Sequence, residues 1–122
     1  MQEGDVVLVP YPQPGDKRPG VIVRLFCGDD SAVVACGSSR GHAEIAGSVC
    51  VSPGSPGYRA LRLSAETYFY PSNVVIAELG ALTPRDCRCT PSLLLDLRDV
   101  EKRAYARRGD QMPYIPAAAT KP

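Results

Sequence analysis

The stretch that decides the fold is Gly4-Asp5-Val6-Val7-Leu8-Val9-Pro10-Tyr11-Pro12, near the start of the 122-residue sequence. A Val-rich run bounded by Gly and Pro is typical of a short β-strand. The strand ends at Pro10, because the loop that follows it carries three prolines, whose fixed backbone angle stiffens the chain. A stiff loop loses little entropy when it binds a ligand, so this loop is suited to binding.

Two further apolar runs, residues 20–25 and 32–36, are separated by the turn residues Gly28-Asp29-Asp30-Ser31. Together with the first run they predict three strands in an antiparallel meander. Residues 43–51 alternate between apolar and polar side chains, which predicts an edge strand. The remaining strand-like runs, rich in aromatic and aliphatic residues, are 60–63, 67–70, 74–76 and 79–82.

Composition agrees with a single, mainly β domain. The chain has 12 Pro and 11 Gly residues, which favours short strands joined by turns, as in a barrel or sandwich. Its hydrophobic fraction of 44% and charged fraction of 22% are ordinary for a domain with a packed core. The net charge is only +1, but 11 of the 14 basic residues are Arg, whose planar fork suits phosphate groups and base stacking.

One helix is predicted near the C-terminus. Thr90 has the properties of an N-cap and Pro91 those of a first helical residue. Apolar residues recur at helical spacing on the side that we expect to pack on the barrel: Leu93, Leu97, Val100 and Ala104. The other side is basic, and we interpret it first as a solvated surface and secondly as a nucleic-acid patch: Arg98, Lys102, Arg103, Arg107 and Arg108. The predicted domain spans residues 1–108, and 109–122 form a flexible tail.

The first strand and loop, together with Lys17-Arg18-Pro19-Gly20-Val21-Ile22-Val23, resemble the opening of the PemK/MazF toxins. The resemblance continues through residues 33–38, 61–68 and 79–83. It implies an SH3-like barrel with a C-terminal helix. It also implies an endoribonuclease that cuts single-stranded messenger RNA at short sequences without a metal or other cofactor. It further implies that the protein acts as a homodimer and is neutralised by a cognate antitoxin protein.

The resemblance also implies a catalytic pair. In that family it consists of the Arg of the Lys-Arg-Pro motif and a hydroxyl residue that ends the third strand, which here become Arg18 and Ser38. The family usually has Thr at the second position, and Ser39 is an alternative for it. An arginine can stabilise the charge that a phosphate gains in the transition state. The serine hydroxyl is better suited to holding a phosphate oxygen than to acting as a base.

Further residues are expected to bind RNA. Tyr11 lies between two prolines and could stack an unpaired base. His42 is the only histidine, and its ordinary pKa of about 6.5 suits proton transfer, although a surface role is the simpler reading. The full set of expected RNA-binding residues is Lys17, Tyr11, Ser39, Arg40 and His42. Three other aromatic residues could either stack bases or pack in the core: Tyr68, Phe69 and Tyr70. Three other arginines could either contact the RNA backbone or be solvated surface residues: Arg24, Arg59 and Arg62.

The cysteines favour a reduced, cytoplasmic setting. There are five, an odd number, and neither a signal peptide nor an apolar run of about 18 residues is present. Cys36 and Cys50 lie in apolar runs and are predicted to be small core residues. Cys87 and Cys89 are too close together, and lack a second ligand pair, for a structural zinc site, so we expect no metal.

Two other functions are compatible with the sequence. The serine in place of threonine is compatible with a non-catalytic barrel that binds RNA or protein through its proline-rich loop. The related CcdB toxins poison DNA gyrase, but the Lys-Arg-Pro motif belongs to the ribonuclease branch and argues against that activity here.

Overall fold

The computed structural model describes residues 1–26, 30–40 and 47–117. Its strands are β1 (Asp5–Val9), β2 (Arg18–Leu25), β3 (Ser31–Ser38), β4 (Val49–Val51), β5 (Thr67–Glu78), β6 (Thr83–Arg88) and β7 (Tyr114–Ile115). Its α-helices are α1 (Pro56–Ala60) and α2 (Pro91–Arg108). The prediction of a mainly β domain with a C-terminal helix is confirmed.

The described strands form one curled, half-barrel sheet in the order β4-β5-β3-β2-β1-β6, with β7 attached in parallel to β5. β1 pairs antiparallel with β2, and β2 pairs antiparallel with β3, so the predicted meander is confirmed. Gly20 is central to it, because it lies opposite Val7 on one side and Cys36 on the other.

Both faces of the central strands are buried, which explains why their sequences are continuously apolar rather than alternating. One face, which includes Val21 and Val33, packs with α2 in a first hydrophobic cluster. The opposite face, which includes Ile22 and Val34, forms a second cluster with residues from the 79–82 segment and from β7.

The helix α2 begins as predicted. Thr90 Oγ1 accepts a hydrogen bond from the Leu93 amide at 3.2 Å, and Pro91 is the first helical residue. The four apolar residues predicted to face the barrel are all buried: Leu93, Leu97, Val100 and Ala104. The helix ends at Arg108 and is capped by Gly109, which has a φ of 51°.

Several local predictions are corrected. Residues 60–63 form the end of α1 and a turn, because Ser55 caps the helix through a hydrogen bond from the Tyr58 amide. Residues 67–78 make one long strand instead of two, and Leu79–Ala81 is a 3-10 turn. In the predicted 43–51 strand, residues 43–46 lie outside the described part, and the described strand is Val49–Val51.

The segment predicted as a flexible tail is corrected for residues 109–117. It contains a 3-10 turn followed by β7, whose Ile115 pairs with Ala77 of β5. Met112 and Ile115 are buried, each in a different hydrophobic cluster. Burial of these two side chains attaches the segment to the sheet.

The basic side of α2 is not uniformly solvated, which corrects the prediction for two of its arginines. Arg98 donates hydrogen bonds to Glu3 Oε1 at 2.8 Å and to the Val23 carbonyl at 3.4 Å. Arg108 donates to the carbonyl groups of three residues in the middle of β5: Pro71, Ser72 and Val74. These arginines attach the helix to the sheet.

The cysteines differ from one another in burial. Cys36 is fully buried, as predicted, and burial raises the pKa of its thiol to about 12. Cys50 is exposed on β4, so its predicted core role is wrong, because the alternation of the edge strand turns it outward. Cys87 and Cys89 are half-buried free thiols, and Cys27 lies outside the described residues.

Within the described ranges, α2 is the longest helix, and neither it nor α1 combines the length and apolarity that a membrane crossing requires.

Candidate functional site

The ends of β2 and β3 bring the two predicted catalytic residues together. Gly20 and Cys36 are the last residue pair of the β2–β3 register, and Arg18 and Ser38 each lie two residues beyond it on their own strands. Both residues line one cavity of about 530 Å³, which we call the main cavity.

Three more of the predicted RNA-binding residues line the main cavity, and two arginines complete its set of cations. Lys17, Ser39 and Arg40 are the predicted residues, and Arg62 and Arg85 are the added ones. The lining residues that are not charged are Leu8, Pro19, Gly37, Ser38, Ser39, Leu63, Ser64, Ala65 and Thr67.

The charge of the main cavity is unbalanced. Its described lining includes five cationic side chains and no carboxylate. Within the described part of the chain, none of these five side chains forms an ion pair, whereas four other arginines do: Arg24, Arg88, Arg98 and Arg103. Clustered cations without counter-charges create the positive potential that attracts a polyanion.

Ser38 organises the loop beside the cavity. Its hydroxyl donates to the Arg40 carbonyl at 2.9 Å and accepts from the Arg40 amide at 3.1 Å. This two-way contact closes a small turn and fixes the backbone from which the Arg40 side chain projects. The hydroxyl would have to rotate away from Arg40 to donate to a phosphate. Ser39, which also lines the cavity and is exposed, remains the alternative hydroxyl.

Gly37 allows the cavity to approach the core. A Cβ atom at this residue would lie 2.5 Å from Thr67 Cγ2 and 3.3 Å from both Phe69 Cζ and the Pro19 carbonyl oxygen. Only a residue without a side chain fits between these groups. The position next to Ser38 is therefore restricted to glycine by packing.

The aromatic residues that were candidates for stacking on RNA bases lie in different parts of the structure. Tyr11 is half-buried against the second hydrophobic cluster and is not among the residues that line the main cavity. Phe69 and Tyr70 are buried, which assigns them to the core. Tyr68 lies opposite Ser38 in the β3–β5 register and stacks on Tyr70, with ring centroids 6.2 Å apart. A hydrogen bond to Glu66 raises the pKa of Tyr68 to about 12.

The other candidates lie elsewhere. Arg24 forms an ion pair with Glu101 and is absent from the described lining of the main cavity. Arg59 lines a neighbouring cavity that is described below. His42 belongs to residues 41–46, which lie outside the described part of the chain.

Arg85 is a cavity residue that the sequence did not reveal. It lies on β6, which reaches the site because Leu8 of β1 pairs with Thr83. This pairing joins segments about 75 residues apart in the sequence, and no local pattern around Arg85 signals it.

In comparisons with known proteins, no family model matches the sequence, and none of the curated proteins matches it significantly. Membership of the PemK/MazF family therefore stays a prediction that rests on the residues quoted above.

Proposed function

We propose that this chain is a metal-independent endoribonuclease that cleaves single-stranded RNA, and that its sheet is an SH3-like barrel of the PemK/MazF kind. The observation that carries the proposal is the main cavity, which Arg18 and Ser38 line together with four further cations and no described carboxylate. A phosphate backbone is the polyanion that such a site suits best.

The proposed reaction is attack by the RNA's own 2′-hydroxyl. The 2′-oxygen forms a bond to phosphorus while the bond from phosphorus to the 5′-oxygen breaks. Solvent water accepts the proton of the 2′-hydroxyl, and a second water molecule donates a proton to the departing 5′-oxygen. Arg18 stabilises the charge that develops on the phosphorane, and the Ser38 hydroxyl holds a non-bridging oxygen once it has rotated away from Arg40. Both roles are electrostatic and positional, and neither requires a bound metal ion.

Further parts of the proposal rest on the resemblance of the opening residues 4–35. The chain would cut messenger RNA at short sequences in the cytoplasm, act as a homodimer, and be neutralised by a cognate antitoxin protein.

Incubation with a long single-stranded RNA in EDTA tests the activity. We expect discrete cuts that leave a 2′,3′-cyclic phosphate. Arg18→Ala should abolish them, whereas Arg103→Ala, which removes an exposed arginine from α2, should leave them unchanged. Loss of cleavage in EDTA, or full cleavage by Arg18→Ala, would contradict the proposal.

A non-catalytic RNA-binding module is the second candidate. This candidate is favoured by the two-way contact between Ser38 and Arg40. The Ser38 hydroxyl already donates its hydrogen bond to the Arg40 carbonyl, so it does not donate one to a phosphate. The candidate is also favoured by the lack of an imidazole or carboxylate in the described lining, because either could accept the 2′-hydroxyl proton. RNA bound in EDTA without cuts would establish this candidate over the nuclease.

A further inference from the structure

A second cavity of about 380 Å³ lies next to the main cavity. Its lining consists of Gly54, Ser55, Tyr58, Arg59, Arg62 and Leu63. Arg62 and Leu63 also line the main cavity, so the two cavities adjoin and these residues lie between them.

Arg62 occupies a backbone position that normally favours glycine. Its φ is 53°, in the left-handed region. Its amide donates to the Arg59 carbonyl at 3.1 Å, and the Leu63 amide donates to the Tyr58 carbonyl at 3.2 Å. This pair of hydrogen bonds is the Schellman motif that ends α1, and its left-handed residue is usually glycine. An arginine here is held against its conformational preference, which points to a use for its side chain.

The second cavity contains the groups that bind unpaired nucleotides. Tyr58 is half-buried and contributes an aromatic ring, and Arg59 is exposed and contributes a guanidinium. Aromatic rings and guanidinium planes stack on the bases of single-stranded RNA, and guanidinium groups bind its phosphates. The described lining of this cavity has no carboxylate. Within the described residues, the side chains of Arg59 and Arg62 form no ion pair.

We propose that the second cavity is a nucleotide subsite for single-stranded RNA, and that Arg62 binds the phosphate linking this nucleotide to the pair that flanks the scissile phosphate in the main cavity. The identity of the ligand rests on the function proposed above. In this arrangement the main cavity holds the two nucleotides that flank the scissile phosphate, and the subsite adds a third towards α1. The subsite therefore contributes to the binding of longer RNA and not to that of a dinucleotide.

Arg62→Gly is the sharpest test, because glycine suits the left-handed backbone and removes only the side chain. The variant should be at least as thermally stable as the parent protein. Binding is measured by fluorescence anisotropy with labelled 2′-O-methyl RNA, which lacks the attacking hydroxyl and so reports binding separately from cleavage. The probes are a dinucleotide and a mixed-sequence octamer.

We expect Arg62→Gly to bind the octamer roughly tenfold more weakly and to lower the dependence of log affinity on log salt by about 0.7. Tyr58→Leu, which keeps an apolar side chain against the core, should weaken octamer binding about 5- to 100-fold. Tyr58→Leu should bind the dinucleotide as the parent protein does, because Tyr58 lines only the second cavity. Arg62 also lines the main cavity, so Arg62→Gly is judged on the octamer alone. Arg103→Ala should bind both probes normally.

Unchanged octamer binding by Arg62→Gly would overturn the subsite, even if the parent protein cuts RNA. Failure of the parent protein to bind the octamer would also overturn it. Weakened octamer binding by both variants, together with no cuts by the parent protein in EDTA, would support the subsite while rejecting the nuclease. The two proposals can therefore fail separately.

Discussion

Arg24 of β2 and Glu101 of α2 form a two-point ion pair: Arg24 Nε lies 2.8 Å from Glu101 Oε2, and a terminal amino group lies 3.2 Å from Oε1. The Glu101 side chain is fully buried, whereas that of Arg24 is 51% exposed. The hydrogen bond to Glu101 raises the pKa of Arg24 above its ordinary value. The helix is thus attached to the sheet through a carboxylate that is fully shielded from solvent.

Arg24→Ala should destabilise the fold because it leaves the buried Glu101 carboxylate without its cation. Removing one partner of a buried pair costs about 3–5 kcal/mol, and the exposure of Arg24 reduces our expectation to about 1–3 kcal/mol. Denaturant unfolding measures the loss. Asp99→Ala, which breaks the exposed Arg103–Asp99 pair, should cost only about 0.3–0.5 kcal/mol. Equal losses of unfolding free energy in Arg24→Ala and Asp99→Ala would contradict the conclusion that the Arg24–Glu101 pair attaches the helix to the sheet.

Gly37→Ala should destabilise the protein by about 1–3 kcal/mol, because the new methyl group overlaps Thr67 Cγ2. Thr67→Ser removes that Cγ2 atom and keeps the hydroxyl that donates to the Ala65 carbonyl at 2.9 Å. The double variant should therefore recover most of the loss, which a double-mutant cycle of unfolding free energies measures.

Gly15→Ala is the matched control for this cycle, because a Cβ atom there meets nothing within 4 Å. It should change stability by less than about 0.5 kcal/mol. Additive effects of Gly37→Ala and Thr67→Ser would show that the two positions do not compete for the same space.

Arg108→Ala should destabilise the protein by about 2–3 kcal/mol, because three carbonyl groups of β5 lose a charged donor. Arg108→Lys should recover less than half of this loss, since a compact ammonium cannot span the carbonyls that a planar fork reaches. Thermal unfolding of the two variants tests this order. As a control, Lys102→Ala, which changes an exposed residue of the same helix, should leave stability nearly unchanged. If Arg108→Lys were as stable as the parent protein, only the charge at this position would matter.

Arg85→Ala should weaken the binding of single-stranded RNA and lower its salt dependence by about 0.7 in the slope of log affinity against log salt. The reason is that Arg85 contributes one of the five cations of the main cavity. Titrations of a 2′-O-methyl octamer at several salt concentrations measure the slope, with Arg103→Ala as the control outside the cavity. A slope equal to that of the parent protein would remove Arg85 from the phosphate path.

The attachment of β7 should depend on pH through Glu78. A hydrogen bond from the Ala117 amide, and a second from the Tyr114 hydroxyl, lower the pKa of this carboxyl group. A lowered folded-state pKa stabilises the fold above the unfolded value of about 4.3, and this stabilisation is lost as the pH falls through the folded value.

We therefore expect the hydrogen bond from the Ile76 amide to the Pro113 carbonyl to open more often in acid. Amide hydrogen exchange at Ile76, corrected for its intrinsic pH dependence, measures this between about pH 6 and about pH 3. Glu78→Gln should remove the change across that interval. Protection that falls equally in both proteins would assign the effect to another group.

Local sequence patterns correctly predicted the secondary-structure elements that are determined by neighbouring residues. Thr90 and Pro91 specify the start of α2, and the spacing of Leu93 and Leu97 specifies its buried face. The Val-rich runs before and after Gly20 specify the meander. In each case neighbouring residues determine the conformation, so the sequence was sufficient.

Features that depend on distant contacts were missed. Strand β7 has only two residues and exists because β5 offers it a partner, so no period in the sequence marks it. Arg85 enters the main cavity through the pairing of β6 with β1. Arg18 and Ser38 were expected together only because a family resemblance implied it, since a spacing of 20 residues alone does not place two strand ends side by side.

Strand β5 has three further partners besides β3. At one end β4 pairs with residues 67–69, at the other β7 pairs with Ile76 and Ala77, and the Arg108 guanidinium binds carbonyl groups between them. A long strand with a bare ladder of amides and carbonyls is a template for other chains, and proteins protect such ladders against aggregation. Here two short strands and one arginine share that protection. We therefore expect the last turn of α2 and the segment after it to limit the pairing of β5 with strands of other chains, in addition to stabilising the fold.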